Sequence, residues 1–111
     1  MLVQTEYKFS LPLGYNDGDK SYQDGVMSLA TAEDEILALS DLRVKENEAF
    51  FPIVILSRVV KFDGEKSSDE IIGKLYLEDF NYLLNLYTQI NNPSQSSFSP
   101  ESQKGVLTPE L

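Results

Sequence analysis

The N-terminal segment alternates between two classes of side chain. In residues 3–11 the odd positions hold Val, Thr, Tyr, Phe and Leu, and the even positions hold Gln, Glu, Lys and Ser. A repeat of two residues is typical of a β-strand with one buried face. Proline has no backbone N–H to donate, so we expect the strand to end at Pro12. The apolar run 25–30 predicts a second strand, which forms a β-hairpin with the first through a long, turn-rich loop.

A helix is predicted after this hairpin. Residues 31–34 (Thr-Ala-Glu-Asp) have the form of a capping box, and acidic side chains suit the positive end of a helix dipole. Ile36, Leu37 and Leu39 supply its apolar side, and we expect it to end near Ser40. The charged residues 41–48 are then expected to form a connection.

The apolar segment from Pro52 to Lys61 is compatible with two structures. Its richness in β-branched residues is typical of a buried strand. Its length, and the polar pair Ser57-Arg58 between apolar turns, favours a buried helix. Periodicity alone leaves both interpretations open.

Two further helices are predicted downstream. Residues 67–70 (Ser-Ser-Asp-Glu) resemble a second capping box and begin a short helix that extends to Leu75. The last helix spans about Leu77 to Asn91. Its apolar residues recur at spacings of three and four and form one stripe: Leu77, Phe80, Leu84, Tyr87 and Ile90, widened by Leu83 and Leu86.

The sequence therefore predicts one small α+β domain over residues 1–91. An antiparallel β-hairpin (3–30) precedes a bundle of three to four short helices (31–91). Residues 92–111 are rich in Pro and Ser and predict a disordered, flexible tail.

Composition argues against an enzyme. The 111 residues contain neither His nor Cys, so the commonest general base, the commonest metal ligand and all thiol chemistry are missing. The net charge of −9 disfavours nucleic acids and anionic membranes as partners. With no signal peptide or membrane span evident in the sequence, we expect a soluble, cytoplasmic protein without a cofactor.

Two acidic groups were considered as chemical sites. Asn16, Asp17, Asp19 and Asp24 lack the EF-hand order and instead suit a hairpin turn, in which Asn and Asp are favoured. The acids at 33–35 are consecutive in a helix, so their side chains diverge, and helix capping accounts for them.

Protein binding is the remaining function class. The apolar stripe of the last helix is wider than one hairpin can cover, and such a face often binds a partner or a second copy. Arg58, alone between apolar turns, is a further candidate contact. The candidate partner-binding residues are Phe80, Leu83, Leu86, Tyr87, Ile90 and Arg58.

The order of segments resembles a known family. The matching segments are 7–14 (YKFSLPLG), 25–35 (GVMSLATAEDE), 41–44 (DLRV), 55–60 (ILSRVV) and 83–91 (LLNLYTQIN). Together they resemble the small tail assembly proteins, or tail assembly chaperones, of Mu-like phages with contractile tails, and of phage-derived contractile injection systems. The family pattern has Pro where this chain has Leu42. The resemblance covers residues 1 to about 92.

The resemblance implies a non-enzymatic helper of tail assembly. Such proteins are thought to hold the long, helical tape-measure protein until tube subunits polymerise around it. It also favours the helical interpretation of residues 52–61. The expected partner is the tape-measure protein or another tail component, and a homo-oligomer is also compatible. The alternative is a structural subunit retained in the tail, tube or baseplate.

Overall fold

The protein is an α+β fold, as the sequence predicts. A computed structural model of the chain describes residues 3–63 and 65–92, and the predicted tail beyond Asn92 lies outside this part. The described residues form a four-stranded antiparallel sheet with strand order β1-β2-β3-β4, together with five α-helices. The strands are β1 (Glu6–Asn16), β2 (Ser21–Ser28), β3 (Val60–Phe62) and β4 (Glu65–Lys66); the helices are α1 (Ala32–Leu39), α2 (Leu42–Glu46), α3 (Phe51–Val59), α4 (Asp69–Lys74) and α5 (Leu77–Asn91).

The predicted hairpin is present, but its strands are longer and its loop is shorter than expected. β1 does not end at Pro12. The pairing of β1 with β2 becomes irregular after Ser10 and resumes at Tyr15, opposite Tyr22. Such an irregularity accommodates a residue that cannot donate to the ladder. The rings of Tyr15 and Tyr22 stack with centroids 5.8 Å apart, which favours pairing beyond the irregularity.

The apolar segment from Pro52 to Lys61, for which the sequence allowed a helix or a strand, is a helix followed by a strand. Residues 51–59 form α3, with Pro52 in the first turn, where a missing N–H costs nothing. Residues 60–62 then pair with β2, so that Val60 lies opposite Met27 and Phe62 opposite Gly25. The β-branched end of the segment thus extends the hairpin into a larger sheet, which the sequence analysis did not predict.

The helix starts follow the predicted capping signals closely. Thr31 caps α1 through a complete capping box with Asp34. At α4, Ser68 alone is the cap, because its hydroxyl accepts from the backbone N–H of Ile71 without a reciprocal bond. The prediction of a plain connection over 41–48 was wrong: Asp41 caps the short helix α2. A 3₁₀ turn (Glu48–Phe50) links α2 to α3.

The core lies between the inner face of the sheet and the helices. Its main cluster joins side chains from β1, β2, α3, β3, α4 and α5. A smaller second cluster lies beneath α1 and α2 and consists of Ala38, Val44, Val54 and Ile55. The fully buried Leu56, Val59 and Leu83 belong to the main cluster. α3 contributes to both clusters and is therefore the element that ties α1 and α2 to the sheet.

Candidate protein-binding surface

The residues predicted on α5 are distributed between core and surface. Leu83 has no exposed surface and cannot contact a partner in this fold. Phe80, Leu86 and Ile90 are half-buried and pack against the main core. Leu77, at the first turn of the same stripe, is 72% exposed. Most of the α5 stripe therefore covers the protein's own sheet, and only its edges remain accessible.

Two other predicted contacts hold α1 in place. The Arg58 Nε of α3 donates to Asp34 Oδ1 over 2.9 Å, and both side chains are largely covered. The hydroxyl of Tyr87 on α5 donates to Glu35 Oε2 over 3.0 Å. Partial burial and the bond to this carboxylate raise the pKa of Tyr87 well above its usual range, so the phenol stays protonated and able to donate. Both residues thus have structural roles between helices.

The apolar side of α1 points away from the core. Ala32, Ile36 and Leu39 follow at spacings of four and three and share one side of the helix. Ile36 is 62% exposed and Leu39 is 55% exposed, whereas Ala38 on the opposite side has no exposed surface. Sequence analysis recognised the apolar side of α1, but a short helix does not reveal which of its faces is buried.

The next helix along the chain, α2, also begins with an exposed apolar residue. Leu42, in the first turn of α2, is 75% exposed, and Leu37 on the flank of α1 is 46% exposed. Large aliphatic side chains exposed singly are normal, but several from adjoining helices form a patch that needs a cover. We call these four residues the α1–α2 apolar face: Ile36, Leu37, Leu39 and Leu42.

Acidic side chains border this face. Glu33 and Glu35 lie in the first turn of α1, and both are exposed. Glu46 and Glu48 follow at the far end of α2 and are also exposed. The guanidinium of Arg43, the first basic residue after the face, is bound by the carboxylates of Asp41 and Asp69. The exposed acids at these positions outnumber the exposed Lys45 of α2, and this balance favours a partner with basic side chains.

The loop acids considered for calcium serve the hairpin turn. Asn16 Oδ1 accepts from the backbone N–H of Gly18 over 2.7 Å. Asp17 Oδ1 accepts from the N–H groups of Asp19 and Lys20 over 2.9 and 2.8 Å. These bonds lower the pKa of Asp17 below its usual value. Within residues 3–63 and 65–92, no group of three or more acidic side chains is placed to hold a metal ion.

Comparison with known proteins gives no relative. No protein-family model matches the sequence, and no match was found among curated proteins or solved structures. Among the helices of the described part, none is both long and apolar enough to cross a membrane.

Proposed function

We propose that this protein is a non-enzymatic, cytoplasmic assembly protein of a phage tail or a phage-derived contractile injection system. It binds a helical segment of the tape-measure protein, or of another tail component, before that component is built into the particle. The resemblance over residues 1–92 supplies the class of client. The observation that carries the proposal is the α1–α2 apolar face.

The face suits an amphipathic helix as its occupant. Ile36 and Leu39 share one side of α1 and form a narrow aliphatic ridge, and Leu42 adds an exposed aliphatic side chain at the start of the next helix. A ridge of this kind packs against apolar residues spaced three and four apart on a client helix. The exposed acids Glu33 and Glu46 at its borders favour Lys or Arg beside the apolar stripe of the client.

A net charge of −9 fits a carrier of aggregation-prone helices. Like charges keep the complexes apart in solution, and they do so without adding apolar surface. A small contact area gives modest affinity, which allows the client to be released when tube subunits take over its surface.

Co-expression with a tape-measure protein of a contractile tail tests the proposal. We expect the wild-type chain to keep that protein in the soluble fraction, and Ile36→Ser with Leu39→Ser to lower the soluble amount at least about tenfold, because two central aliphatic contacts are lost. Leu77→Ser is the matched control, since Leu77 is equally exposed but lies on α5. Equal loss with the control variant, or no loss with the double variant, would refute the role of this face.

The alternative role, a subunit retained in the particle, is separated by a second measurement. Quantitative mass spectrometry of washed, assembled particles should find this chain absent while it is present in the soluble pool. A fixed copy number per particle would instead make it a structural component, with the α1–α2 apolar face buried against a neighbouring subunit.

A further inference from the structure

The outer edge of β1 carries backbone groups that face away from the sheet. Among the strands of residues 3–63 and 65–92, β1 comes first in the order β1-β2-β3-β4, so within this part of the chain it has a strand neighbour on one side only. The Leu29 N–H donates to the Thr5 carbonyl over 2.8 Å, so the backbone N–H and carbonyl groups of Thr5 point towards the β2 side of the strand. Hydrogen-bonding direction alternates along an antiparallel pair. Glu6, Lys8 and Ser10 therefore direct their N–H and carbonyl groups outward. There the Glu6 carbonyl accepts from the Gln4 side-chain amide over 3.1 Å, an exposed bond that a second strand would replace.

The side chains of the same three residues are exposed. Phe9 and Leu11 occupy the inner face of β1, whereas Glu6, Lys8 and Ser10 lie on the outer face in contact with solvent. An edge with exposed side chains and outward backbone groups can pair with another strand.

The charges along this edge are self-complementary in one antiparallel register. When a second copy of β1 pairs about Tyr7, Glu6 of each chain lies opposite Lys8 of the other, and the two Tyr7 side chains meet on the opposite face. Because the outward backbone groups recur at every second residue, the register can move only by two residues at a time. A move in one direction places Lys8 opposite Lys8 of the other copy, and a move in the other direction places Glu6 opposite Glu6. Opposite charges across a pair stabilise it, and like charges destabilise it.

We propose that two copies of this chain associate through their β1 edges, in the antiparallel register that sets Glu6 against Lys8 twice. The two four-stranded sheets then form one continuous sheet around a twofold axis. The net charge of −9 on each copy opposes the association, so the dimer is weak and reversible. The inference uses β1 alone and does not depend on the identity of any client.

Charge reversal at the two exposed positions tests the pairing. In Glu6→Lys, a lysine at position 6 lies opposite Lys8 of the other copy, and in Lys8→Glu, a glutamate at position 8 lies opposite Glu6. The double variant restores opposite charges at both pairs and keeps the wild-type net charge. We expect sedimentation equilibrium in ordinary salt to show dimerisation weakened at least about tenfold in each single variant and recovered in the double variant. An equimolar mixture of the two single variants should also recover it, because each lysine then meets a glutamate.

Three results would overturn the proposal. One is a wild-type chain that stays monomeric up to about 1 mM. Another is a dimer that the single reversals leave unchanged, or that neither the double variant nor the mixture restores. The third is a dimer lost in the Ile36→Ser, Leu39→Ser variant, which would place the contact on the α1–α2 apolar face. Circular dichroism of each variant checks that the fold is retained.

Discussion

The carboxylate of Asp79 lies in the core with no exposed surface. Its Oδ1 accepts from the backbone N–H of Leu13 over 2.9 Å, and its Oδ2 accepts from that of Gly14 over 2.8 Å. These two N–H groups lie in the irregular part of β1, where Pro12 interrupts the pairing with β2. Asp79 is also in the first turn of α5, where the helix dipole favours a negative charge. The side chain of Asp79 therefore holds the irregular part of β1 against α5.

Replacing this carboxylate tests its structural role. Asp79→Asn keeps the shape but supplies one acceptor oxygen and one NH₂ group, so one buried N–H of β1 loses its partner. We expect the free energy of unfolding to fall by about 2–3 kcal/mol, measured by urea denaturation. Glu78→Gln, an exposed neighbour on the same helix, is the control. A loss no greater than in the control would contradict this role.

Sequence could not have identified Asp79 as a buried residue. An acid in the first turn of a helix is ordinarily a solvated residue that interacts with the dipole, and the prediction from pattern stops there. Its partners at Leu13 and Gly14 lie more than sixty positions away in the chain. The prediction that β1 ends at Pro12 was wrong for the same reason. No local signal shows that a side chain of α5 accepts hydrogen bonds from the backbone N–H groups that follow Pro12.

At the scale of elements, the sequence predicts those that depend on local signals and misses those that are very short or depend on long-range pairing. α5 has the predicted bounds because its apolar repeat extends over four turns. α1 begins directly after its cap Thr31, as predicted, because the capping box is a local motif. β3 was missed because its three residues become a strand only by pairing with β2. α2 was missed because it has five residues and a single buried side chain, Val44.

The orientation of α1 was also beyond local pattern. Its inward contacts are the small Ala38 and the polar pair of Asp34 with Arg58, while Ile36 and Leu39 point outward. A reader of the sequence expects the largest aliphatic residues to be buried. The hydrophobic pattern therefore predicts a binding surface on α5, where Leu83 is buried, and does not reveal that the aliphatic side chains of α1 are exposed.

The pair of Asp34 and Arg58 gives α1 a dependence on pH. Partial burial raises the pKa of Asp34, but hydrogen bonds from Thr31 and Arg58 outweigh this effect, so the pKa lies below its usual value. A carboxyl with a lowered pKa in the folded state contributes stability above its unfolded pKa of about 3.9. That stability is lost as the pH falls through the lower folded value.

Asp34→Asn should therefore destabilise the protein at neutral pH and matter less in acid. We expect a loss of up to about 1 kcal/mol, constant between about pH 5 and 8. The difference from wild type should shrink below about pH 4 as the wild-type carboxyl is protonated. Urea denaturation across this range is the measurement, with the exposed Asp24→Asn on β2 as control. A difference independent of pH would mean that the charge of Asp34 does not contribute.

At the scale of the whole molecule, the core side chains of the described part, residues 3–63 and 65–92, come from most of its strands and helices. All fourteen buried apolar side chains lie between Phe9 and Leu83, and they come from both halves of this range. α5 returns to the start of α1, where the Asn91 side chain accepts from the backbone N–H of Ala30 over 3.0 Å. We therefore expect the sheet, the helices and this closing contact to unfold together in one cooperative transition.

Deleting residues 93–111 should consequently leave thermal stability nearly unchanged. We expect the melting temperature of the 1–92 chain to lie within about 3 °C of the full chain, because 1 kcal/mol corresponds to about 4–8 °C for a domain of this size. Circular dichroism during heating measures the shift, and binding of an apolar dye reports on the α1–α2 apolar face. A larger fall in melting temperature would mean that the deleted residues contribute to the packing. An increase in dye binding that Ile36→Ser and Leu39→Ser abolish would show that they cover this face in the full chain, and that a client must displace them.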